Sequence, residues 1–556
     1  MRIKSLLFPE LLAVLLLITF GFHAAWGAVF YVDPINGSAS GDGSPEKPWR
    51  TLQEVFQNNL FETQEYRSKP YLPGAPMMVK NAGAPVQPGD TLLLRTGFHG
   101  EIWYRGAFNL KAIVIAAEKG HRPTLTRITL SAVSNWILDD LTINPETAAA
   151  PGSGALLSIE SHSTQGASFD VTIRNCHISS ATDVGSWSKT DWNDKSFNAI
   201  AVVGDRMMIQ DNICKNVDHG IYMNGNSSVV RGNLIENFAG DGMRGLGNDL
   251  LFEYNTVKNC YDVNDNHDDG FQSWSINDDP PRERVTLRGN TIINYEDPEQ
   301  PFRGTLQGIG CFDGFYIDWV IENNLVVTDH WHGITLMGAR GCRIVNNTVV
   351  DQNNQSPGPP WIQISPHKDG TPSSNCLIRN NLTTDLDAGE GVKSDHNMIV
   401  SSYALFFVDA SNFDFHLNKN SPAVDAGTTT SAPTIDMEGT ARPQGNGVDL
   451  GAYEYDPTNG GGAQSGKAEW NYRLYPNYPN PFNPKTTIRY SVEKTGKVVL
   501  QIFDLLGKEI NVLVDRDSPP GEYEVEWIPA GLSSGVYLYR LRAGDFDTAK
   551  KLLYLK

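Results

Sequence analysis

The sequence predicts an all-β protein whose central part is a solenoid of short strands. Eight asparagines open similar phrases such as Asn-Leu-Ile or Asn-Thr-Val, and their shortest separations are 21 to 23 residues. The runs that follow are short and β-branched, and no helical stripe accompanies each repeat. Asparagines at a fixed phase can hydrogen-bond from coil to coil, which favours a parallel β-helix. These residues are Asn175, Asn212, Asn233, Asn255, Asn290, Asn324, Asn347 and Asn381.

Length and charge limit the function. A chain of 556 residues is long enough for two or three domains, and 40% hydrophobic residues can form a real core. The net charge of −19 argues against nucleic acid as the main partner. An anionic polysaccharide stays compatible, because a local basic patch or a bound cation can offset the charge. Six scattered cysteines without a CxxC pair predict neither a disulfide framework nor a metal site, and we expect most of them to be small buried residues.

Residues 1–27 are expected to be a signal peptide. Arg2 and Lys4 precede an apolar run over residues 11–22, and small residues at 25–28 suit cleavage. The alternative is an uncleaved membrane anchor.

Residues 28–98 carry the signals of a solenoid cap. A short strand near Val29, a Gly/Pro turn, an amphipathic helix beginning near Trp49 and a strand over residues 91–95 follow one another. This segment resembles the N-terminal cap of secreted bacterial right-handed parallel β-helices, which shields the first sheet edge. The resemblance implies a right-handed β-helix over residues 28–455.

Four insertions fall at one phase of the repeat, between the Asn phrase and the next Gly-apolar strand. Insertions at one phase stack on one side of a solenoid and commonly wall a groove. Their aromatic and basic residues suit sugar rings and their substituents, although a tryptophan can also simply cover the core. The insertions are 179–197, 259–269, 295–307 and 351–360, and the candidate substrate-binding residues are Lys189, Trp192, Trp274, Arg303 and Trp361.

The strands that follow the insertions predict one polar face. Strand alternation points Ile221, Met243, Phe271, Ile309 and Ile334 inward. The outward positions on successive coils are then Tyr222, Arg244, Gln272, Gly310 and Thr335. With the residues just before each strand, this face collects His219, Tyr222, Asp241, Arg244, His267, Asp268, Asp269, Gln272 and His332.

Three carboxylates on neighbouring coils of this face repel each other unless a proton or a cation is shared, and Ca²⁺ suits oxygen ligands. Asp241-Gly242-Met243 and the stretch from Asn266 to Gln272 resemble the calcium-site pattern of family 9 polysaccharide lyases, the pectate lyases. The resemblance implies Asp241, Asp268 and Asp269 as Ca²⁺ ligands. Gln272 replaces the last aspartate of the pattern as a weaker, neutral oxygen ligand.

The reaction that the resemblance implies is elimination, in which a base removes the C5 proton of a uronate. The family's lysine base aligns with Gly310, so another group must act. We expect His219, His267 and His332 to titrate near neutrality and to suit proton abstraction. Tyr222 is the candidate donor to the leaving oxygen, and Arg244 the candidate partner of the substrate carboxylate.

The sequence therefore predicts a secreted polysaccharide lyase that cleaves an extracellular acidic, uronate-containing polysaccharide by metal-assisted β-elimination. One alternative is an inverting hydrolase of the polygalacturonase type, which would use Asp241 with Asp268 or Asp269. Others are a C5-epimerase and a non-catalytic surface glycan-binding protein or adhesin. We expect a monomer.

The C-terminal residues predict a separate module. Residues 456–468 are Gly-rich and read as a flexible linker. Residues 469–556 alternate strands and turns, as a small seven-strand Ig-like β-sandwich does. The stretch from Leu474 to Pro484 and the final Lys-Lys-Leu-Leu-Tyr-Leu-Lys resemble the C-terminal sorting domain of the type IX secretion system. This resemblance implies the secretion machinery as a partner, with release or surface attachment after export, whereas an ordinary accessory Ig-like module is the alternative.

Overall fold

The computed structural model describes residues 27–147, 154–275, 280–456 and 472–555, with short gaps inside the last range. The chain divides into two compact units between residues 462 and 463. Residues 1–26 of the expected signal peptide and residues 457–468 of the expected linker lie outside the described residues. Across the described ranges, no helix is long and apolar enough to span a bilayer.

The first unit is the predicted parallel β-helix, and three sheets run along it. The first sheet carries the predicted polar face. Its first two strands are long and continue around the corner into the second sheet. Its strands are Glu101–Ala117, Arg127–Asp139, Leu157–Glu160, Ile200–Asp205, Ile221–Asn224, Met243–Gly245, Asp268–Trp274, Leu306–Asp313, His332–Met337, Trp361–Ser365 and Asp385–Ala388.

The second and third sheets close the coils. The second contains Val29–Val32, Thr91–Leu94, Ser168–Arg174, Met208–Gln210, Val229–Arg231, Leu251–Glu253, Thr286–Arg288, Val320–Glu322, Arg343–Val345, Cys376–Arg379 and Val392–Asp395. The third contains Gly97–Phe98, Pro123–Leu125, Thr142–Ile143, His177–Ser179, Ile213–Val217, Leu234–Phe238, Thr256–Cys260, Thr291–Ile293, Leu325–Thr328, Thr348–Asp351, Leu382–Thr383 and Met398–Ile399. A short parallel ladder of Arg282–Glu283, Tyr316–Ile317 and Ala339–Arg340 adds to one corner.

A ladder of buried asparagine side chains joins successive coils at one corner. The Asn290 carboxamide oxygen accepts from both the backbone N–H and the side-chain amide of Asn255, at 3.1 and 2.9 Å. The Asn290 amide in turn donates to Asn324 at 3.0 Å and to the Phe252 carbonyl at 2.9 Å. The same pattern links Asn212, Asn233, Asn255, Asn290, Asn324, Asn347, Asn381 and Asn397.

One of the eight predicted asparagines does not belong to the ladder, and one further asparagine does. Asn175 has a φ of 55° and bonds Asp139, so it stands one position before the ladder. Cys176 takes the ladder position, and its backbone N–H donates to Asn212 at 3.0 Å. In the sequence, Asn175 resembles a ladder asparagine. The residue directly before each ladder position has a left-handed backbone, and asparagine suits that conformation too. Asn397 extends the ladder at the other end.

The N-terminal cap contains the expected helix, with a later start. The helix spans Leu52–Gln57, and the Thr51 hydroxyl caps it by accepting from the Glu54 N–H. Trp49 lies before the helix, where its ring stacks on Phe30 at 5.2 Å. A hairpin of Thr63–Tyr66 and Met77–Lys80 pairs with the strand that begins at Glu101, where Gln64 lies opposite Phe108.

After its last coil the chain forms a folded segment that packs on the outer side of the third sheet. It contains the helix Tyr403–Phe406 and the hairpin Phe407–Asp409 with Asp414–Leu417. His416 on this hairpin lies between two carboxylates, with Nδ1 2.6 Å from Asp414 and Nε2 3.1 Å from Glu438. Burial opposes protonation, but the contacts with Glu438 and Asp414 outweigh it and raise the pKa of His416 to about 9.

The second unit has the predicted seven strands in two antiparallel sheets. Arg473–Leu474, Thr486–Val492 and Gly521–Trp527 form one sheet, and Glu509–Ser518, Gly496–Phe503, Gly535–Ala543 and Phe546–Tyr554 form the other. Apolar side chains such as Ile488, Leu500 and Tyr539 form its core. In the first unit, all six cysteines are buried free thiols, as expected.

Replacing Asn290 by alanine should destabilise the β-helix strongly. The change leaves the Asn255 N–H and side-chain amide without their acceptor in a buried position, which costs about 1–3 kcal/mol. Urea unfolding of the variant and of the wild type measures the difference. Asn420 is exposed, so Asn420→Ala should stay within about 0.5 kcal/mol of the wild type. Equal stability of Asn290→Ala and wild type would contradict a supporting role for the ladder.

The His416 contacts should stabilise the protein at acidic and neutral pH. The folded-state pKa of about 9 lies above the ordinary value of 6.5, so this contribution is complete below pH 6.5 and disappears as the pH rises through 9. The loss of unfolding free energy in His416→Gln should therefore be largest near pH 6 and vanish near pH 10. The exposed His177→Gln serves as the control. A loss that does not depend on pH would contradict the assigned charge.

Candidate active site

The polar face has the predicted register. Tyr222 lies opposite Arg244, Arg244 opposite Gln272, Gln272 opposite Gly310, and Gly310 opposite Thr335. The five residues predicted to point inward are at most 1% exposed. At the start of these strands the chain rounds a corner, so residues i and i+3 share the face. Asp241 contacts Arg244, Asp269 contacts Gln272, and His332 contacts Thr335.

Arg244 is held by an ion pair below the surface. Its Nε donates to Asp241, whose side chain is 1% exposed, and its guanidinium lies 5.6 Å from the centre of the Trp274 ring. The other Asp241 oxygen accepts from the Asp269 N–H at 3.0 Å. Asp241 therefore orients the Arg244 side chain through one oxygen and binds the backbone of the next coil through the other. The Arg244 side chain itself is 23% exposed.

His219 supports this pair from the preceding coil. Its Nδ1 accepts from the Asp241 N–H at 2.7 Å, which assigns the ring proton to Nε2. Nε2 lies 3.5 Å from the Arg244 Nη2. Burial, and then the charge of Arg244, lower the pKa of His219 to about 4. The expectation that His219 titrates near neutrality is therefore wrong, because a buried imidazole beside a guanidinium stays neutral.

Asp269 and His267 form a second pair of a buried carboxylate and a more exposed side chain. Asp269 is fully buried, and its Oδ2 lies 3.1 Å from the Nδ1 of His267, whose side chain is 62% exposed. The Gln272 amide donates to the same oxygen at 3.0 Å. The contact with Asp269 raises the pKa of His267, and burial raises the pKa of Asp269 to about 7. A buried carboxylate thus holds Nδ1 of His267, whereas most of the His267 side chain is exposed.

Gly310 makes room for this pair. A Cβ at residue 310 would lie 2.2 Å from the Asp269 Oδ1 and 2.8 Å from the Phe312 ring. The position that the lyase resemblance aligned with a lysine therefore cannot hold a side chain without moving Asp269. Within the described residues, Asp269 Oδ1 has no hydrogen-bond partner.

Asp268 does not join the face on which Asp241 and Asp269 lie. Its carboxylate accepts from the Cys260 thiol at 3.4 Å and from the Asn266 amide at 3.3 Å. At this corner it is Asp269, three residues before Gln272, that contacts the Gln272 side chain. Burial raises the pKa of Asp268 to about 8, which leaves it largely protonated at neutral pH.

These placements do not fit the calcium site that the sequence suggested. Asp241 is neutralised by Arg244, Asp268 is turned away, and Gln272 presents its amide nitrogen to Asp269. Among the residues that the structure describes, no group of three or more His, Cys, Asp or Glu side chains is arranged to hold a metal ion. Among the three expected ligand aspartates, only Asp269 has a carboxylate oxygen, Oδ1, without a hydrogen-bond partner among the described residues.

Aromatic side chains border the other end of the face. The His332 ring lies 4.6 Å from Phe312, 5.2 Å from His330 and 5.4 Å from Trp361. Burial lowers the pKa of His332 to about 4, so the expectation of a near-neutral value is wrong here as well. Trp361 is partly exposed, which keeps it available as a predicted binding residue.

Sequence reasoning missed His330 and its neighbour Trp331. Trp331 is 46% exposed and lies edge-on to His330, with 5.5 Å between ring centres. Burial, and then the charge of His267, lower the pKa of His330 to about 4. The signal was present as Asp-His-Trp-His at residues 329–332, directly before a Gly-apolar strand.

Three of the insertions pack together as one wall, as predicted. Their apolar side chains form a satellite cluster. Trp192, on the helix Lys189–Lys195, is 0% exposed and stacks on Tyr261 at 4.6 Å. Its predicted role in sugar binding is therefore wrong, because the ring fills the inside of the wall. The cluster contains Ala181, Val184, Trp192, Ala239 and Val263, with Trp187, Tyr261 and Phe302 against it.

The two basic residues of the wall remain partly accessible. Lys189 is exposed, and its Nζ lies 5.9 Å from the Phe302 ring centre. Arg303 lies over the Tyr295 ring at 5.2 Å. Both cations therefore lie on insertions that contribute to the satellite cluster.

Two family models match parts of the chain. The model "Right handed beta helix region" matches residues 157–349, which include the whole polar face from His219 to His332. The model "Secretion system C-terminal sorting domain" matches residues 477–554. The second match implies export of the chain, to the medium or to the cell surface. No curated protein matches the chain.

Solved structures of similar fold include several carbohydrate-active enzymes. Pectate lyase Pel9A is 14% identical, with a TM-score of 0.43, and the match covers 78% of this chain and 97% of that one. The A-module of the mannuronan C-5 epimerase AlgE4 from Azotobacter vinelandii is 13% identical, with a TM-score of 0.38 and coverages of 56% and 90%. The GH136 lacto-N-biosidase from Eubacterium ramulus is 12% identical, with a TM-score of 0.30 and coverages of 66% and 68%. These low identities leave the reaction of this chain open.

Trp192 should contribute to folding rather than to ligand contact. Replacing it by alanine empties the centre of the wall and should lower the free energy of unfolding by about 3–5 kcal/mol. Urea unfolding followed by circular dichroism measures the loss. Lys189→Ala, at the exposed start of the same helix, is the matched control and should cost less than about 0.5 kcal/mol. Wild-type stability of Trp192→Ala would contradict the buried role.

Proposed function

We propose that this protein is a secreted polysaccharide lyase that cleaves a uronate-containing polysaccharide by β-elimination, with His267 as the base. The observation that carries the proposal is an exposed imidazole fixed by a fully buried carboxylate on the groove face. A carboxylate at one ring nitrogen orients the imidazole and leaves the other nitrogen to accept a proton. Arg244, one coil away, adds a cation oriented by its own buried carboxylate.

In this mechanism the uronate carboxylate pairs with the guanidinium nitrogens of Arg244 that Asp241 does not use. Pairing with a cation stabilises the negative charge that develops when the C5 proton leaves. His267 takes that proton, a double bond forms between C4 and C5, and the C4–O bond breaks. The leaving oxygen receives a proton from Tyr222 or from water. The Tyr222 hydroxyl accepts from the Asn224 amide at 3.2 Å, which leaves its own proton to donate.

The burial of the carboxylates favours elimination over inverting hydrolysis. A hydrolytic acid must touch the glycosidic oxygen, and the base must touch a water molecule. The side chains of Asp241 and Asp269 are 1% and 0% exposed, so neither reaches the groove surface. His267 is exposed and Arg244 and Tyr222 are partly exposed on this face, and an elimination can use all three.

Replacing His267 by glutamine should lower kcat/KM by at least about 100-fold, because general base catalysis commonly contributes that much. The measurement follows the ultraviolet absorbance of the unsaturated uronide with polygalacturonate, alginate or chondroitin sulfate as substrate. Asp269→Asn should lower the rate as well, since it removes the charge that orients His267. The exposed His177→Gln, on a different sheet, should keep the wild-type rate.

Several outcomes would contradict the proposal. New reducing ends without the absorbance would indicate hydrolysis, and an unchanged rate in His267→Gln would remove the base from its role. Calcium stays a prediction and carries no step of this mechanism. Assaying the same reactions with added Ca²⁺ and with a chelator tests it, and equal rates would remove calcium from the proposal.

A further inference from the structure

The row of outward residues that contains Arg244 continues far beyond the candidate active site. From Tyr222 towards the N-terminus, the register runs through Ala201, Ser158 and Thr129 to Trp103. Four coil steps of about 4.8 Å place Trp103 about 19 Å from Tyr222 along the same face.

Trp103 is exposed although it is a large aromatic residue. It is 62% exposed, whereas most of the other large aromatics on the β-helix are buried or half-buried. The Arg105 guanidinium lies 4.5 Å from the Trp103 ring centre and two residues along the same strand. This contact fixes the indole and places a cation over one face of the ring, which leaves the other face for a ligand. An exposed indole beside a cation is suited to an anionic sugar ring, since the ring stacks and its carboxylate pairs.

The row positions between Trp103 and Tyr222 carry small side chains. Thr129, Ser158 and Ala201 occupy the three intervening positions, and they are half-buried or buried. A linear polymer lying in the candidate active site can therefore continue along this face until it meets Trp103. The direction of the row is the axis of the solenoid, so an extended chain follows it without bending.

We propose that Trp103, with Arg105, is a distant binding site for the same acidic polysaccharide chain whose reacting residue lies at His267 and Arg244. The inference rests on the proposed function for the location of the reacting residue, and it adds the length of the substrate. Arg244 lies about 24 Å from Trp103 along the face, so contact with both needs a chain of several sugar residues. The protein therefore binds the interior of long chains and acts as an endo-enzyme rather than trimming chain ends.

The test compares binding of long and short chains by Trp103→Ala and wild type. Affinity electrophoresis or calorimetry measures Kd for alginate, polygalacturonate and chondroitin sulfate, and for tetrasaccharides of each. For the polymer that the wild type binds, Trp103→Ala should weaken affinity about 5- to 10-fold, as expected for one aromatic contact. The affinity for the tetrasaccharide should change less than about twofold, because a short chain in the active site does not reach Trp103. Phe98→Ala, which removes a 45%-exposed aromatic from the third sheet, is the matched control and should change neither affinity.

The outcomes separate this inference from the proposed function. If Trp103→Ala weakens polymer binding but no unsaturated uronide forms with wild type, the long binding face stands and the lyase proposal falls. Unsaturated product together with unchanged polymer affinity in Trp103→Ala overturns the distant site and leaves the lyase. Equal weakening for polymer and tetrasaccharide, or no binding of any of the three polymers by wild type, also overturns it.

Discussion

The fixed stacking of one coil on the next is the constraint on which the candidate site depends. The buried asparagine ladder bonds each coil to the following one through both a side chain and a backbone N–H. Because the rungs fix the phase at one corner, the strand that follows each rung begins at a defined point. Residues far apart in sequence, such as Tyr222 and Gln272, are then two coils apart in one row. A slip of one residue would exchange the groove face with the core.

On this scaffold the charges of the site are arranged in pairs with one buried member each. Asp241 lies beneath Arg244, and Asp269 lies beside His267. Burying a carboxylate costs free energy unless it is paired with a cation or a hydrogen-bond donor. The pairing in turn holds the outer side chain in one orientation. Removing either carboxylate therefore disturbs more than one charge. Asp241 also accepts a hydrogen bond from the Asp269 N–H, and this bond connects the two pairs.

Strand alternation and the repeat predicted the fold, the inward residues and the row of outward residues correctly, because these follow from period and phase alone. The errors came from features that period does not determine. Asn175 looks like a rung but takes the left-handed position before it. Trp192 was predicted to bind substrate because it lies in an insertion, where no sequence period distinguishes a buried side chain from an exposed one. The low pKa values of His219 and His332 depend on burial in three dimensions. Alternation counted back from Gln272 would place Asp268 on the face and Asp269 inside, but the corner before the strand reverses the two, which the period alone does not reveal.

The whole chain is acidic, and the insertions beside the polar face carry exposed acidic residues as well as cations. The net charge of −19 repels an anionic polymer at long range, but salt screens that repulsion beyond about 10 Å. On the polar face, Asp241 and Asp269 are buried and paired, whereas Arg244 is partly exposed and Lys189 and Arg303 are exposed on the insertions. Affinity for an acidic chain therefore has to come from short-range contacts. Such contacts grow in number with chain length, so a face that continues for many coils favours a long polymer over a fragment.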